Sequence, residues 1–327
     1  DMFYSESQLS YLDQISQMYQ PTDGITAFPT TGNATLLCIL IGFSDLAFTE
    51  TQANFNNLFN QVGYGTYGSV KDYYEENSYN QFHLSVDVAG PYTASNTHGY
   101  YGGNDPLDPD RKDTNVRELV TEAVNLANPD VNYADYDNDG DGNVDGIYEI
   151  YAGYNEAESG GADCIWYHAW SIPTVNLDGK NISSYSCSAE YKGNSGSNIS
   201  GIGNICHEFG HVMGAPDFYD TDYGKSGGHY CGLGRWCCMA SGNFNGGRDC
   251  PAHYNPLIKS HYFGWTTIST LNSQQEMNIK NTVENSDQYY KYNTTTADEY
   301  FMFENRQQTG FDTELPGHGL IIYHVHK

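Results

Sequence analysis

The chain has 327 residues, of which 41 are acidic and 14 are basic, and its formal net charge is −27. This length can bury a sizeable hydrophobic core and is typical of about two domains. The charge argues against a protein that binds nucleic acid or anionic membranes, because contacts with phosphates need clustered lysine and arginine.

The predicted elements follow a polar lead-in, residues 1–30, whose first residues do not have the pattern of a signal peptide. Apolar runs or alternating apolar and polar residues predict strands at 35–43, 82–88, 144–152 and 164–170. The spacing of apolar residues predicts helices at 69–77, 116–127, 202–214 and 256–264, the second of them capped by Asp113 or Thr114. No run of 18 or more apolar residues occurs, so we expect no transmembrane helix.

The composition changes twice after the predicted helix at 202–214. Residues 215–255 are rich in Gly, Asp, Asn and Cys, so we expect loops there. After Trp265, short β-like stretches follow, such as 299–304 and 319–324. We therefore predict a main domain at 31–265, with an upper part at 31–214 and a loop-rich lower part at 215–265, and then a β-rich C-terminal extension at 266–327.

Eight cysteines are present, and five of them fall between Cys206 and Cys250. An even number permits disulfides in an oxidising compartment, and pairing within this cluster is an open alternative whose connectivity the spacing does not reveal. Cys38 lies in an apolar run and is better interpreted as a buried free thiol. A cysteine zinc knuckle is disfavoured, because no Cys-x-x-Cys pair is followed by a second pair at finger spacing.

The segment HEFGHVMGAPD, residues 207–217, is the strongest chemical signal. His207 and His211 are four residues apart, so a helix presents both imidazoles on one face, where they can bind one zinc ion. Glu208 adjoins the first histidine and can take the proton of a water that attacks a substrate. Gly214 can end the helix in a left-handed conformation, after which Asp217 can supply a third ligand.

An ordinary amphipathic helix with two exposed histidines is the simpler interpretation of the same pattern. Gly210 argues against it, since a glycine inside a helix costs about 1 kcal/mol relative to alanine and the sequence shows no local gain. The fixed positions of Gly214 and Asp217 also make a chance match rare, on the order of one chain in ten thousand at typical residue usage. We therefore favour the zinc interpretation.

A second cluster of potential metal ligands overlaps the start of the predicted strand at 144–152. Its Asp-x-Asp-x-Asp-Gly-x-x-Asp pattern offers carboxylates at alternate positions of a tight loop, which suits the oxygen-rich coordination of calcium. The predicted ligands are Asp137, Asp139, Asp141, the backbone carbonyl of Asn143, and Asp145. The pattern departs from a full EF-hand because Tyr148 stands at the twelfth position. A solvated acidic turn is the alternative, a register that starts at Asp135 fits almost as well, and Asp220 with Asp222 is a weaker candidate for a further cation.

Together, these motifs resemble the metzincin metallopeptidases, and more closely the immune inhibitor A family of secreted bacterial zinc metallopeptidases. The similarity extends over most of the chain from about 35 to 325. It is carried by the segments SVKDYYEENSYNQF (69–82), DNDGDGNVDG (137–146), HEFGHVMGAPDFYDTD (207–222), GLGRWCCMASG (232–242), PAHYNPLIKSHYFGW (251–265) and FENRQQTGFDTELPGHGLIIYHV (303–325). The resemblance implies an α+β, zincin-like fold in which a twisted mixed sheet and an active-site helix are followed by a β-rich extension.

The resemblance also implies roles for individual residues. The implied roles are zinc ligation by His207, His211 and Asp217, general-base catalysis by Glu208, and a structural turn beneath the metal at Met239. Several metzincins carry a tyrosine two residues after this methionine, but Ser241 stands there in this chain. Tyr254, His229 and His253 are the remaining candidates to stabilise a tetrahedral intermediate.

We therefore interpret the chain as a secreted, monomeric, zinc-dependent endopeptidase that acts on proteins or peptides, with calcium as a stabilising ion. Two alternatives stay open. One is a calcium-stabilised binding or adhesion module that keeps a structural zinc site, and the other is a zinc hydrolase that acts on a non-peptide bond. Glu208 argues against the binding module, because a structural site has no need of a base.

Overall fold

The computed structural model describes residues 28–105, 113–221, 227–228 and 230–326, so most of the predicted lead-in lies outside the described residues. The first sheet contains β1 (Gly32–Gly42), β2 (Phe82–Thr93), β3 (Ile147–Tyr151), β4 (His168–Leu177) and β5 (Lys180–Ala189), in the order β2-β1-β3-β5-β4. β2, β1, β3 and β5 run parallel, and β4 pairs antiparallel with β5 at one edge. The expected mixed sheet is therefore present, and β5 is a strand that the sequence patterns do not predict.

Both faces of this sheet are buried, because alternate residues of β1 point into two hydrophobic cores. Cys38 and Leu40 belong to the first core, whereas Ile39 and Ile41 belong to the second. A strand that is covered on both faces has an uninterrupted apolar sequence, which explains the run at 35–43.

The described helices are distributed over the two cores. They are α1 (Gln52–Asn60), α2 (Val70–Asn77), α3 (His98–Gly102), α4 (Val116–Ala127) and α5 (Ile202–Val212). The apolar residues of α5 lie in the first core and those of α4 in the second. Three helices agree with the prediction, and α2 begins with a capping box formed by Ser69 and Asp72. The patterns do not predict α1 and α3.

The start of α4 differs from the prediction. Its N-cap is Asn115, which makes no side-chain capping hydrogen bond, so the assignment of Asp113 or Thr114 is wrong. The Asp113 carboxylate accepts from the backbone N–H of Trp166, and the Thr114 hydroxyl donates to the carbonyl of Gly103. Both side chains, which the sequence predicts to cap α4, are therefore bound to other segments instead.

The region between α5 and the last part of the chain is mostly irregular, as expected. It contains short 3-10 segments at Gly234–Trp236 and Ser241–Arg248. The helix predicted at 256–264 is observed as a short segment with π-helical hydrogen bonding, Ile258–Tyr262.

A second sheet follows, formed by β6 (Ile268–Thr270), β7 (Tyr289–Asn293), β8 (Glu299–Arg306) and β9 (Gly319–His326), in the order β6-β7-β8-β9. β6 is parallel to β7, and the other pairs are antiparallel. Phe311, between β8 and β9, lies in the first core together with the apolar residues of α5. The connection between β8 and β9 is thus packed against the part of the chain that carries α5, and a domain boundary near 266 stays a prediction.

All eight cysteines are free thiols, so the disulfides considered for the cluster between Cys206 and Cys250 are not formed in this structure. Cys38 is fully buried in the first core, in agreement with its interpretation as a core thiol. In the part of the chain that the structure describes, no helix combines the length and the apolar character needed to cross a membrane.

Candidate metal centre

Helix α5 carries the metal motif and is enclosed along its whole length. All its residues from Ile202 to Val212 are buried, and His207 and His211 are each 5% exposed. Gly214 follows with a φ of +96°, a left-handed conformation that glycine adopts at little cost, and the chain turns away from the helix there. The interpretation as a surface helix with two exposed histidines is therefore wrong.

Two glycines let other segments approach α5 closely. A Cβ atom on Gly203 would lie 2.0 Å from the carbonyl oxygen of Asn243. A Cβ atom on Gly210 would lie 2.8 Å from Met239 Sδ and 3.0 Å from the hydroxyl oxygen of Tyr254. Close packing on both sides is the gain that offsets the helix-propensity cost of Gly210.

The structure brings the three predicted zinc ligands together. One ligand atom from each of His207, His211 and Asp217 lies within 4.8 Å of the others. Asp217 Oδ1 is 3.3 Å from His207 Nε2 and 3.4 Å from His211 Nε2. The two imidazole rings are 5.0 Å apart and nearly perpendicular, so both Nε2 atoms face one point beside the carboxylate.

Backbone carbonyl groups orient both rings. His207 Nδ1 donates to the carbonyl of Cys238 at 2.7 Å, and His211 Nδ1 donates to the carbonyl of Ala215 at 2.8 Å. Because a carbonyl only accepts, each ring carries its proton on Nδ1, and the neutral ring presents the lone pair of Nε2 to the cluster. Sequence reasoning missed these two carbonyls, since every residue has one and no sequence signal marks them.

The chemistry of the cluster fits a zinc ion. Among the described residues, Asp217 Oδ1 is a buried atom without a hydrogen bond of good geometry, although both Nε2 atoms are close to it. Two imidazole nitrogens and one carboxylate oxygen form a familiar set of protein ligands for catalytic zinc, with a fourth position for water or substrate.

Glu208 lies beside the cluster, 3% exposed, with Oε1 3.9 Å from His207 Nε2. Burial raises the pKa of Glu208 to about 8, an effect that His207 opposes and Asp217 reinforces. Burial also favours neutral Asp217, but the imidazoles of His211 and His207 hold the pKa of this carboxyl well below its usual range. Burial lowers the pKa of both histidines, but Asp217 at both rings, helped by Glu208 at His207, raises it above the ordinary value. The cluster therefore keeps Asp217 ionised.

Met239 lies at the base of α5, in the turn that also supplies the carbonyl of Cys238. Its side chain is fully buried, and its carbonyl accepts the backbone N–H of Phe218 at 2.7 Å. Since Phe218 directly follows Asp217, the same turn contacts the His207 ring through the carbonyl of Cys238 and the backbone next to Asp217 through the carbonyl of Met239.

Two side chains considered for stabilising a tetrahedral intermediate have other partners. The Tyr254 hydroxyl donates to the carbonyl of Cys206 at 2.7 Å, and His253 Nε2 lies 2.7 Å from a carboxylate oxygen of Glu76. His229 lies outside the described residues. The buried contacts of Tyr254 and His253 are those of packing residues, so the structure gives neither of them a role in the reaction.

The acidic loop is the second cluster that the structure assembles. Asp137, Asp139 and Asp141 each contribute a carboxylate oxygen to a group whose members lie within 4.8 Å of one another. Asp145 is not in this group, and its Oδ2 accepts from the backbone and side-chain N–H groups of Asn138, both at 2.8 Å. Burial raises the pKa of Asp145 to about 6, although Asn138 opposes the rise.

A lysine approaches the same loop. Lys180 Nζ, at the start of β5, lies 2.5 Å from Asp137 Oδ2, a contact between residues that are 43 positions apart and that no sequence pattern indicates. The Asn143 side chain donates to Asp141 at 3.0 Å. Asp220, of the weaker candidate cation site, accepts from the backbone N–H of Tyr230, and Asp222 lies outside the described residues.

Comparisons with known proteins match this chain to one family and to curated relatives. The sequence model of a family described as "Immune inhibitor A peptidase M6, catalytic domain" matches residues 42–263. The chain is 30% identical over 258 residues to the Pre-pro-metalloprotease PrtV of Vibrio cholerae serotype O1 (strain M66-2), covering 64% of the chain and 27% of that protein. It is 29% identical over 225 residues to Immune inhibitor A of Bacillus thuringiensis subsp. alesti, covering 59% of the chain and 31% of that protein. The matched region spans less than a third of either relative.

Proposed function

The chain belongs to the immune inhibitor A peptidase family, M6, a family of metallopeptidases, and from this premise we propose that it is a zinc-dependent endopeptidase that cleaves internal peptide bonds of proteins. One observation carries the proposal, namely the convergence of His207, His211 and Asp217 in a buried cluster with Glu208 beside it. A ligand set with a neighbouring carboxyl group is what hydrolysis needs, whereas a purely structural site uses four protein ligands and no base.

In this proposal, His207, His211 and Asp217 hold the zinc ion. When bound, zinc would act as a Lewis acid that lowers the pKa of water towards ~7 and polarises the carbonyl of the scissile bond. Glu208 is the general base. Its carboxyl ionises more readily beside a divalent cation, takes the proton of the attacking water at Oε1 or Oε2, and passes that proton to the nitrogen of the leaving amine.

Two further features support this assignment. The carbonyls of Cys238 and Ala215 fix the tautomer and the orientation of the two imidazoles, as second partners of zinc-binding histidines commonly do. The packing of Met239 against Gly210 is consistent with a structural turn beneath the metal, and we propose a metzincin-like arrangement of the domain with the β-rich segment after 265 as its extension. We also propose secretion, as the resemblance to the immune inhibitor A family implies.

The proposal predicts cleavage that depends on the metal. A library of unstructured peptides, incubated with the protein, is expected to be cut at internal bonds, and a zinc chelator such as 1,10-phenanthroline is expected to abolish the cuts. Adding back zinc to the dialysed protein is expected to restore them, because the ligands are preformed on α5 and in the turn after it. Mass spectrometry of the products measures the cut sites.

The same experiment separates the alternatives. Zinc binding without cleavage of any peptide would contradict the proposal and favour the binding module. Chelator-insensitive cleavage would contradict zinc catalysis. Cleavage of ester or glycosidic test substrates without cleavage of peptides would favour a zinc hydrolase that acts on a different bond.

We further propose that the acidic loop binds calcium through Asp137, Asp139 and Asp141, with the backbone carbonyl of Asn143 and with Asp145 completing the coordination. The buried Oδ1 of Asp145, which has no hydrogen-bond partner among the described residues, is consistent with this role. Lys180 is the group that calcium has to displace, since its ammonium lies against Asp137 Oδ2.

Calcium is expected to stabilise the fold. Adding Ca²⁺ to the ion-free protein should raise the midpoint of thermal unfolding by several degrees, because an ion that binds only the folded state stabilises it by mass action. Asp139→Asn should remove this rise, whereas Asp298→Asn, a change of an exposed aspartate in the turn before β8, should leave it intact. A midpoint that does not respond to Ca²⁺ in the unaltered protein would show that the loop is a solvated acidic turn.

A further inference from the structure

We propose that Arg306 is a positioning residue of the metal centre, which acts by anchoring the segment 236–239 from the second sheet. This inference rests on the proposed function, because the segment matters only if the cluster binds the metal. Arg306 is the last residue of β8 and lies beyond residues 42–263, the part of the chain that the family model matches. Residues outside the matched region thus take part in building the site.

The segment 236–239 is the link between the second sheet and the ligands. The carbonyl of Cys238 accepts from His207 Nδ1 at 2.7 Å and so sets the orientation of that ring. The carbonyl of Met239 accepts the backbone N–H of Phe218 at 2.7 Å, next to Asp217. A displacement of this segment therefore moves two of the three proposed zinc ligands.

Arg306 holds the first residue of this segment. Its Nη1 donates to the carbonyl of Trp236 at 3.3 Å, two residues before Cys238, and the side chain is 1% exposed. This bond is part-buried, and because its donor is a charged guanidinium it is charge-assisted and stronger than a bond between neutral groups. Through this bond, a side chain of β8 contacts the backbone of the turn beneath α5.

The guanidinium is itself fixed from two other directions. The Asp312 carboxylate accepts from both Nε and Nη2 in a two-pronged pair, and Glu304 Oε1 accepts from Nη1 at 3.2 Å. Both carboxylates are buried, and the Tyr323 hydroxyl donates to Glu304. A planar guanidinium can satisfy Asp312 and still direct an N–H at the Trp236 carbonyl, whereas the compact ammonium of a lysine cannot reproduce this fork.

The test compares Arg306→Lys with Tyr323→Phe. Both changes weaken the buried network around Glu304, but only the first removes the guanidinium N–H that donates to the Trp236 carbonyl while Asp312 holds the rest of the fork. We expect Arg306→Lys to weaken zinc affinity about tenfold, to shift the visible bands of the cobalt(II)-substituted protein, and to lower kcat more than it changes KM. Tyr323→Phe is expected to lower the thermal midpoint while the zinc affinity and the cobalt spectrum stay as in the unaltered protein.

A second measurement does not depend on the metal. In the zinc-free protein labelled with 15N-histidine, the Nδ1–H of His207 should be protected from exchange by its bond to Cys238, and this protection should be lost in Arg306→Lys and kept in Tyr323→Phe. Retained protection together with unchanged zinc affinity in Arg306→Lys would overturn the inference. If Arg306→Lys does not fold, the double change R306M/D312N, which removes both charges of the pair, replaces it in the same comparison. An unaltered protein that binds no zinc would refute the proposed function, while the His207 signal would still decide the anchoring.

Discussion

Replacing Glu208 with glutamine is expected to lower kcat for peptide cleavage by about 10²–10⁴-fold, the usual contribution of a general base. Glutamine has the shape of glutamate but cannot accept the proton of the attacking water. Since Glu208 is not among the three proposed ligands, the variant should still bind one zinc ion. A fluorogenic peptide gives kcat and KM, and inductively coupled plasma mass spectrometry gives the zinc content of the same preparation.

A matched change elsewhere controls for the removal of one carboxylate. Glu118→Gln alters an exposed residue on α4, on the opposite side of the first sheet from α5, and should leave both kcat and zinc content unchanged. Undiminished cleavage by the Glu208 variant would refute the proposed mechanism. Loss of zinc from that variant would instead make Glu208 a ligand.

Glu149→Gln is expected to stabilise the protein strongly at pH 8 and hardly at all at pH 5. Glu149 lies in the middle of β3, 1% exposed, and neither of its carboxylate oxygens has a hydrogen-bond partner among the described residues. In register across the sheet it adjoins Ile39 and Cys187, which do not compensate a negative charge. Burial raises the pKa of Glu149 from the ordinary value of 4.5 to about 8.

The direction of the effect follows from proton binding. Between pH 5 and pH 8 the folded state keeps the proton on Glu149 and the unfolded state has lost it, so stability is present below the unfolded pKa and declines as pH rises through the folded one. At ~1.4 kcal/mol per pH unit, this decline amounts to roughly 4 kcal/mol over the interval. Glutamine is neutral at every pH, so the variant escapes this loss.

Chemical unfolding of both proteins at pH 5, 6, 7 and 8, at constant zinc, measures the difference. Other groups titrate in the same interval, but they are common to the two proteins and cancel in the comparison. Glu118→Gln serves again as the control and should follow the unaltered protein at each pH. A difference between wild type and Glu149→Gln that stays constant from pH 5 to pH 8 would contradict the prediction.

How well the sequence predicted an element depended on whether its burial leaves a regular pattern of apolar residues in its own sequence. The central strand β1 is covered on both faces and is therefore apolar throughout, and α4 shows helical spacing because one face lies in the second core. The strand β5 has the sequence KNISSYSCSA, which contains four serines and carries neither a continuous apolar run nor a clear strand alternation. Its place between β3 and β4 comes from pairing with both neighbours.

The same distinction applies to the metal centre. The sequence by itself determined which side chains can meet, because the spacing of His207 and His211 on a helix and the short turn through Gly214 to Asp217 are local geometry. Only the tertiary structure decided which groups orient them, since the carbonyls of Cys238 and Ala215 and the guanidinium of Arg306 act through backbone and distant contacts that residue type does not encode. It also decided that Tyr254 and His253 are packing residues, because their hydrogen-bond partners come from other parts of the chain.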